Sequence, residues 1–313
     1  MDRTSEAKVP YRVRRMTLAD LKEVCRIDRD AFQAYRRARR QLTRPLRLRT
    51  PANMQTALRR PFPGVVIEAP PEGPVVGYCF THVWGKLGWL GTLGITPRRQ
   101  GLGLGRAVIA GGLALLREAG CTTLALETMP ESGKNLALYL SLGLEARRLT
   151  LLFRGLSASA KETHFRFWEG GPELRQIGEA VLAGWDPTPA AQWLQTEEAG
   201  QTLVWWQDGQ PVAFAALRHA ERRLDTPQYD LTTEAAACLP RAAAHWPRFL
   251  GEMSAYARRM GKTGLIFPVN AEQQTLVQTM LALEGRIVHT RVRMVTGAPL
   301  GSADALVMMT LAM

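Results

Sequence analysis

The chain reads as a mixed α/β (α+β) protein in two successive halves, each a central mixed sheet flanked by helices. Three observations carry that reading. Residues 88–120 pass from an apolar strand ending at Ile95, through Pro97 and the alternate glycines Gly101, Gly103 and Gly105, into a helical pattern that stops at Gly120. Antiparallel hairpin signals lie ahead of this stretch, and a strand–helix–strand crossover follows from it. From about Glu162 the order of elements begins again. Halves at 1–158 and 159–313 follow, in keeping with a length that allows two domains of ordinary size.

The elements come in the following order. Tyr11–Arg15 alternates and predicts a first strand; Thr17 then starts a helical pattern through Leu21, Val24, Cys25 and Ile27 to about Tyr35. Thr50-Pro51 opens a short helix to about Arg59. Gly64–Ala69 and Pro74–Trp84 are β-rich runs around a Pro-Pro-Glu-Gly turn, and Trp84–Gly88 turns the chain into the strand ahead of the glycines. After the helix to Gly120 come a strand at Thr122–Thr128, a helix at Lys134–Leu142 stopped by Gly143, and a strand at Leu144–Phe153. The second half predicts strands at His164–Trp168, Thr202–Trp206, Gln210–Leu217, Gln228–Ala237, Gly264–Pro268, Arg286–Met294 and Ala305–Leu311. Its helices are Pro172–Trp185, Arg241–Met260 and Glu272–Leu283.

A strand, a glycine turn and a helix start make a phosphate cradle. Glycines reach positive φ and let a ligand approach bare backbone, while the N–H groups that open a helix favour an anion. A dinucleotide-binding turn is the competing reading, with Glu127 ending the next strand about twenty residues on. Against it stand the Gly-x-Gly-x-Gly spacing, the hairpins upstream, and the rigid cationic Pro97-Arg98-Arg99 run. A glycine-rich turn that holds no ligand must account for three glycines and two arginines at one helix start.

Ile95, Pro97, Gln100, Gly103 and Gly105 fit the pattern Val-x-Pro-x-x-(Gln/Arg)-x-x-Gly-x-(Gly/Ala), and this stretch resembles the acetyl-CoA-binding motif of the GNAT N-acetyltransferase superfamily. The element order of the first half is also the GNAT order. A second resemblance runs from Ser132 through Asn135, Leu138 and Tyr139 to Leu142-Gly143-Leu144, similar to Asn-x-x-Ala-x-x-Leu-Tyr-x-x-Leu-Gly-Phe, with Ser132 in place of the usual Asn.

The resemblance implies acetyl transfer from acetyl-CoA to an amine. The pyrophosphate would lie on the backbone of Gly101, Leu102, Gly103, Leu104, Gly105 and Arg106, with Gln100 beside them. The pantetheine would run along Leu93, Gly94 and Ile95, with Ser132 and Asn135 contributing. Tyr139 would protonate the departing thiolate, and its bland alternative is a core tyrosine on an amphipathic helix. For the base, Glu127 stands at the carboxyl end of the crossover strand, with His82 or a chain of waters as alternatives. The second half resembles a degraded GNAT domain by element order. At the cradle position it carries Cys238-Leu239-Pro240-Arg241-Ala242-Ala243-Ala244, without a glycine, and at the tyrosine position Val277 or Gln278. It is therefore expected not to bind acetyl-CoA. Because the first half has one strand too few, Ala305–Met313 is expected to cross over and complete its sheet.

Composition bounds the rest. Apolar residues at 46% and charged residues at 22% are those of a globular chain. No apolar run is long enough to span a bilayer and no signal segment opens the sequence, so a cytoplasmic location without membrane contact is expected. Cys25, Cys79, Cys121 and Cys238 lie apart and read as reduced core residues; no metal site is expected. The formal charge of +12 falls on residues 1–160, which carry 26 Lys+Arg against 12 Asp+Glu. Seven arginines between Arg36 and Arg49 supply half of that excess; they are either a solvated face or an attraction for an acidic acceptor, a small molecule or a peptide. Few aromatics interleave with them, so nucleic acid is not the expected partner. The chain is expected as monomer or homodimer. A non-catalytic acyl-CoA-binding or nucleic-acid-associated protein that kept the fold is the alternative function.

Overall fold

The computed structural model describes residues 10–38, 54, 55, 58, 62–155, 164–219, 229–298 and 308–309. Packing divides them into two units: the chain up to Val83 with Gly88–Gly120, and Trp84–Leu87 with the chain from Cys121. The expected halves at 1–158 and 159–313 follow the repetition of elements, which is a different criterion from packing.

In the first unit, β1 (Arg12–Arg15), β2 (Gly64–Glu68), β3 (Val75–Trp84) and β4 (Leu87–Ile95) lie in that order, with β1–β2 and β2–β3 antiparallel. Helix α1 (Leu21–Ala38) follows a single turn of 3-10 helix at Leu18–Asp20. Its apolar stripe, Leu21, Val24 and Ile27, packs with Met16, Met54, Val66, Tyr78 and Phe80. Helix α2 (Leu104–Glu118) reaches Val13 and Val65 instead. Successive strand residues point to opposite faces, so Val66 and Val65 put α1 and α2 on opposite sides of the sheet. Arg14 fixes the start of α1: its guanidinium donates two hydrogen bonds to Asp20, at 2.7 and 2.8 Å, and one to Glu68 at 2.6 Å. The short helix expected after Pro51 and the arginines beyond Arg37 lie almost entirely outside the described residues.

The second unit is a sheet whose order is β5 (Thr123–Thr128), β12 (Arg286–Gly297), β6 (Glu145–Gly155), β11 (Gly264–Asn270), β10 (Asp230–Cys238), β9 (Gln210–His219), β8 (Gly200–Gln207) and β7 (Phe165–Phe167). All neighbours are antiparallel except β10 and β11. Helix α3 (Gly133–Leu140) links β5 to β6; α4 (Glu173–Val181), α5 (Thr188–Thr196), α6 (Trp246–Arg259) and α7 (Gln274–Ala282) follow.

Two expectations are corrected here, and one helix is new. The strand placed beside β6 from far along the chain is β12, inserted between β5 and β6, and not the last segment. The described part of Ala305–Met313, β13 (Met308–Met309), pairs with Ala235 and Ala236 of β10. β12 fills the place beside β6: it pairs with β5 over six residues and with β6 over most of its own span. The single helix expected over Arg241–Met260 is a 3-10 segment, Pro240–His245, followed by α6, because Pro247 lies in the first turn of the latter and restarts the helix. Helix α5 has no counterpart in the sequence reading. Pro189 sits in its first turn, and Ala190, Ala191 and Leu194 are its buried side, too short a run for periodicity to reveal.

Candidate active site

The glycine turn is built by one strand end and one helix start. Beyond Ile95 the chain makes a 3-10 turn at Pro97–Arg99, in which the Arg99 N–H donates to the Thr96 carbonyl at 2.8 Å. Gln100 Nε2 donates to the Ile95 carbonyl at 3.1 Å, so this side chain ties the turn to the strand. Gly101 and Gly103 then take φ of +85° and +78°, values that side chains rarely adopt. A Cβ at either position would meet no atom within 4 Å, so the backbone there faces open space. Gly103 is also the residue that opens α2, and the first intrahelical bond runs from the Ala107 N–H to the Gly103 carbonyl. The N–H groups of Leu104, Gly105 and Arg106 precede that bond and point along the helix axis toward the turn. Leu104 is buried beneath the turn, and Leu102 is 44% exposed. The arrangement suits an anionic ligand laid on backbone.

Strand β4 carries Leu93 and Gly94 just before the turn. A Cβ on Gly94 would lie 3.0 Å from Tyr78 Cε1 and 3.4 Å from Ala31 Cβ, so glycine lets α1 close on this strand. Tyr78 is fully buried and donates its hydroxyl proton to Asp28 of α1. His82, also buried, donates through Nε2 to the Gly91 carbonyl at 2.7 Å.

The remaining predicted residues stand in the second unit. Ser132 is buried at the start of α3, its N–H bonded to the Met129 carbonyl at 3.0 Å, while Asn135 is half-buried one turn on. Tyr139 is buried at the end of α3, 6% exposed. Glu127 lies near the end of β5 inside an ion-pair cluster. Its Oε1 accepts from Thr150 Oγ1 at 2.7 Å and from Arg293 at 2.8 and 3.2 Å, and Arg291 Nη1 stands 3.6 Å from its Oε2. Glu127 Oε2 is buried and has no hydrogen-bond partner. The sequence reading did not single out Thr150, Arg291 or Arg293. The signal was the alternation Arg291-Val292-Arg293 within one strand, which sets both arginines on one face. Among the described residues no group of His, Cys, Asp and Glu is placed to hold a metal ion, and no helix is long and apolar enough to cross a membrane.

Residues 21–144, which hold the glycine turn, α3 and Tyr139, match the Acetyltransferase (GNAT) family. They are a GNAT acetyltransferase domain. A mycothiol acetyltransferase of Arthrobacter sp. (strain FB24) is 29% identical over 86 residues, 26% of this chain and 27% of its own length. The match thus spans about a quarter of that relative. The GNAT fold extends over nearly the whole chain. A candidate acetyltransferase from Pyrococcus horikoshii superposes with a TM-score of 0.68 at 14% identity, over 97% of this chain and 95% of its own. A tandem GNAT protein from the clavulanic acid biosynthesis pathway gives 0.58 at 14% identity, over 93% and 100%. A GCN5-related N-acetyltransferase from Sphaerobacter thermophilus gives 0.55 at 14%, over 94% and 98%. The likeness in fold thus covers both halves of the chain, and the segment that follows β10 is the 3-10 helix Pro240–His245.

Proposed function

We propose that this acyltransferase moves an acetyl group from acetyl-CoA to a primary amine, and that the cradle of the first half is its single acetyl-CoA site. The observation that carries the reading is the pair Gly101 and Gly103, both left-handed, open to space and set at a helix start. The pyrophosphate lies on the N–H groups of residues 101–106, and the pantetheine runs along Leu93–Ile95, with Ser132 and Asn135 contributing to its binding. The amine attacks the thioester carbonyl, the carbon–sulfur bond breaks, and the thiolate takes a proton from the Tyr139 hydroxyl. Glu127 receives the ammonium proton; Oε1 is taken up by Thr150 and Arg293, which leaves Oε2 for the amine. His82, bonded to the Gly91 carbonyl, is the second choice for the base.

Tyr139→Phe tests the reading. Acetylation of an amine panel should fall about a hundredfold in kcat, the scale of one general acid, while calorimetry still finds acetyl-CoA bound with wild-type affinity. Unchanged kcat would remove the phenol from the chemistry. Acetyl-CoA binding without turnover on any amine in the wild type would favour a non-catalytic acyl-CoA-binding protein.

A further inference from the structure

The second unit's sheet is joined at its middle by a short ladder. Among the described residues, the parallel strands β10 and β11 pair only where Asp230 meets Gly264, Leu231 meets Leu265 and Thr232 meets Ile266. Beyond that point each strand keeps its other neighbour: β10 stays with β9 to Cys238, and β11 stays with β6 to Asn270. The two strands therefore part, although both are buried along their whole length. Open edges in such a place would leave backbone N–H and C=O groups without partners, which is costly.

Two residues set the parting. Glu234 is the extra residue of a bulge in β10, between Thr233 and Ala235, and its carboxylate is tied to Arg218 of β9. The bulge bends β10 just past its last pair with β11. On β11, alternate residues bond to opposite neighbours. Its pairing with β6 runs unbroken through Pro268 and Val269. Proline has no N–H, so Phe267 and Val269 are the residues that donate to β6, and Pro268 turns its edge toward β10. The parallel ladder thus ends where its next donor would be.

The opening is filled from far along the chain. Met308–Met309 pairs antiparallel with Ala235 and Ala236 and also lies against β11. Since β9 holds the other edge of both alanines, the pairing uses the edge that β11 has left. Recognition of this kind takes its affinity from main-chain hydrogen bonds. β13 has two residues, whereas the part of β10 beyond the ladder runs from Thr233 to Cys238, so a longer strand has more edge to take.

We infer that the fork between β10 and β11 is a binding slot for an extended peptide, with Met308–Met309 as its occupant in cis. An extended apolar peptide of another molecule takes the same place when that occupant leaves. The slot stands on the topology of the sheet and is independent of acetyl transfer.

The full-length chain carrying Met308→Pro and Met309→Pro loses both backbone donors of the occupant at unchanged length. The probe is a fluorescein-labelled peptide of residues 305–311, Ala-Leu-Val-Met-Met-Thr-Leu. By anisotropy it should bind this variant by about 100 µM and the wild type about tenfold more weakly or worse, since a tethered occupant competes at roughly millimolar effective concentration. The same peptide with proline at both methionine positions should not bind. Hydrogen exchange reads the wild type directly: at least one amide of Met308 and Met309 should exchange more slowly than in a random coil, and residues 233–238 should lose protection in the variant and regain it with peptide. Equal binding to both proteins, equal binding of the proline peptide, or no binding to the variant at about 100 µM would overturn the inference. So would random-coil exchange of both methionine amides in the wild type. A variant that does not fold alone should be recovered by refolding with the peptide, and no recovery would count equally against the slot.

Discussion

Both halves carry a strand that leads to a helix through a proline-containing turn, and the two turns have opposite surfaces. After β4, Gly101 and Gly103 take positive φ and face open space at the start of α2. After β10, Pro240–His245 winds into 3-10 helix, and Ala242 is fully buried within it. The first turn exposes backbone donors, while the second consumes its own in local hydrogen bonds such as Ala242 N–H to the Leu239 carbonyl at 2.9 Å. A fold can therefore repeat its elements while changing the surface that one turn presents.

The largest expected effect turns the first turn into the second. Gly103→Val puts a β-branched residue at φ +78°, and acetyl-CoA affinity should fall on the order of a hundredfold, since left-handed strain adds to the lost approach. Calorimetry reads this directly, and affinity within a factor of about two of wild type would mean the turn holds no phosphate. The reverse change, Ala243→Gly, should leave one acetyl-CoA site per chain; a second site would show that glycine alone separates the halves.

Next in size are the buried charges of the two units. Arg293→Met strands Glu127, whose side chain is 5% exposed, and should cost about 3–5 kcal/mol in urea unfolding. A loss below about 1 kcal/mol, the scale of an exposed pair, would mean that Thr150 and Arg291 together satisfy Glu127. Asp20 is the first unit's counterpart. Burial opposes its charge, yet hydrogen bonds from Arg14 and Thr17 hold its carboxyl below the ordinary 3.8. Its stabilising effect is present above that value and is lost as pH falls through the lower folded one. The stability gap between wild type and Asp20→Asn should therefore narrow as pH drops below 3.8, and a gap that widens would reverse the sign.

The smallest effect compares the sheets themselves. Burial raises the thiols of Cys79 on β3 and Cys238 on β10, each to about 12. Neither should react with a thiol reagent at pH 8 before unfolding. Labelling of Cys238 alone in the native protein would mark the second sheet as the one that opens.

Particular residues explain what was legible. Gly101, Gly103 and Pro97 announced the turn because their backbone preferences are local, and the apolar steps of Leu21, Val24 and Ile27 announced α1 for the same reason. The partners of Glu127 are hidden in the sequence, since Arg293 meets it across a strand pairing 166 residues away and Thr150, 23 residues away, meets it from β6, which β12 separates from β5. The motif marks Gln100 as a ligand contact, and only the fold shows that its amide closes the turn onto Ile95. A count of strands shows that the first half is one strand short, but it carries no register and so does not say which later segment supplies it.

The placement of β12 between β5 and β6 also sets an order of events during synthesis. At roughly 5–20 residues per second, the ribosome delivers Arg286–Gly297 on the order of ten seconds after Glu145–Gly155. Until then the edges of β5 and β6 that β12 will cover are unmatched, and the pairing begun by residues 123–155 cannot finish before most of the chain has been made. Closing so distant a pairing is slow, and open strand edges invite pairing with other chains. Expression at lower temperature, or with a holdase present, should raise the soluble yield of this chain more than that of a GNAT domain whose strands close locally.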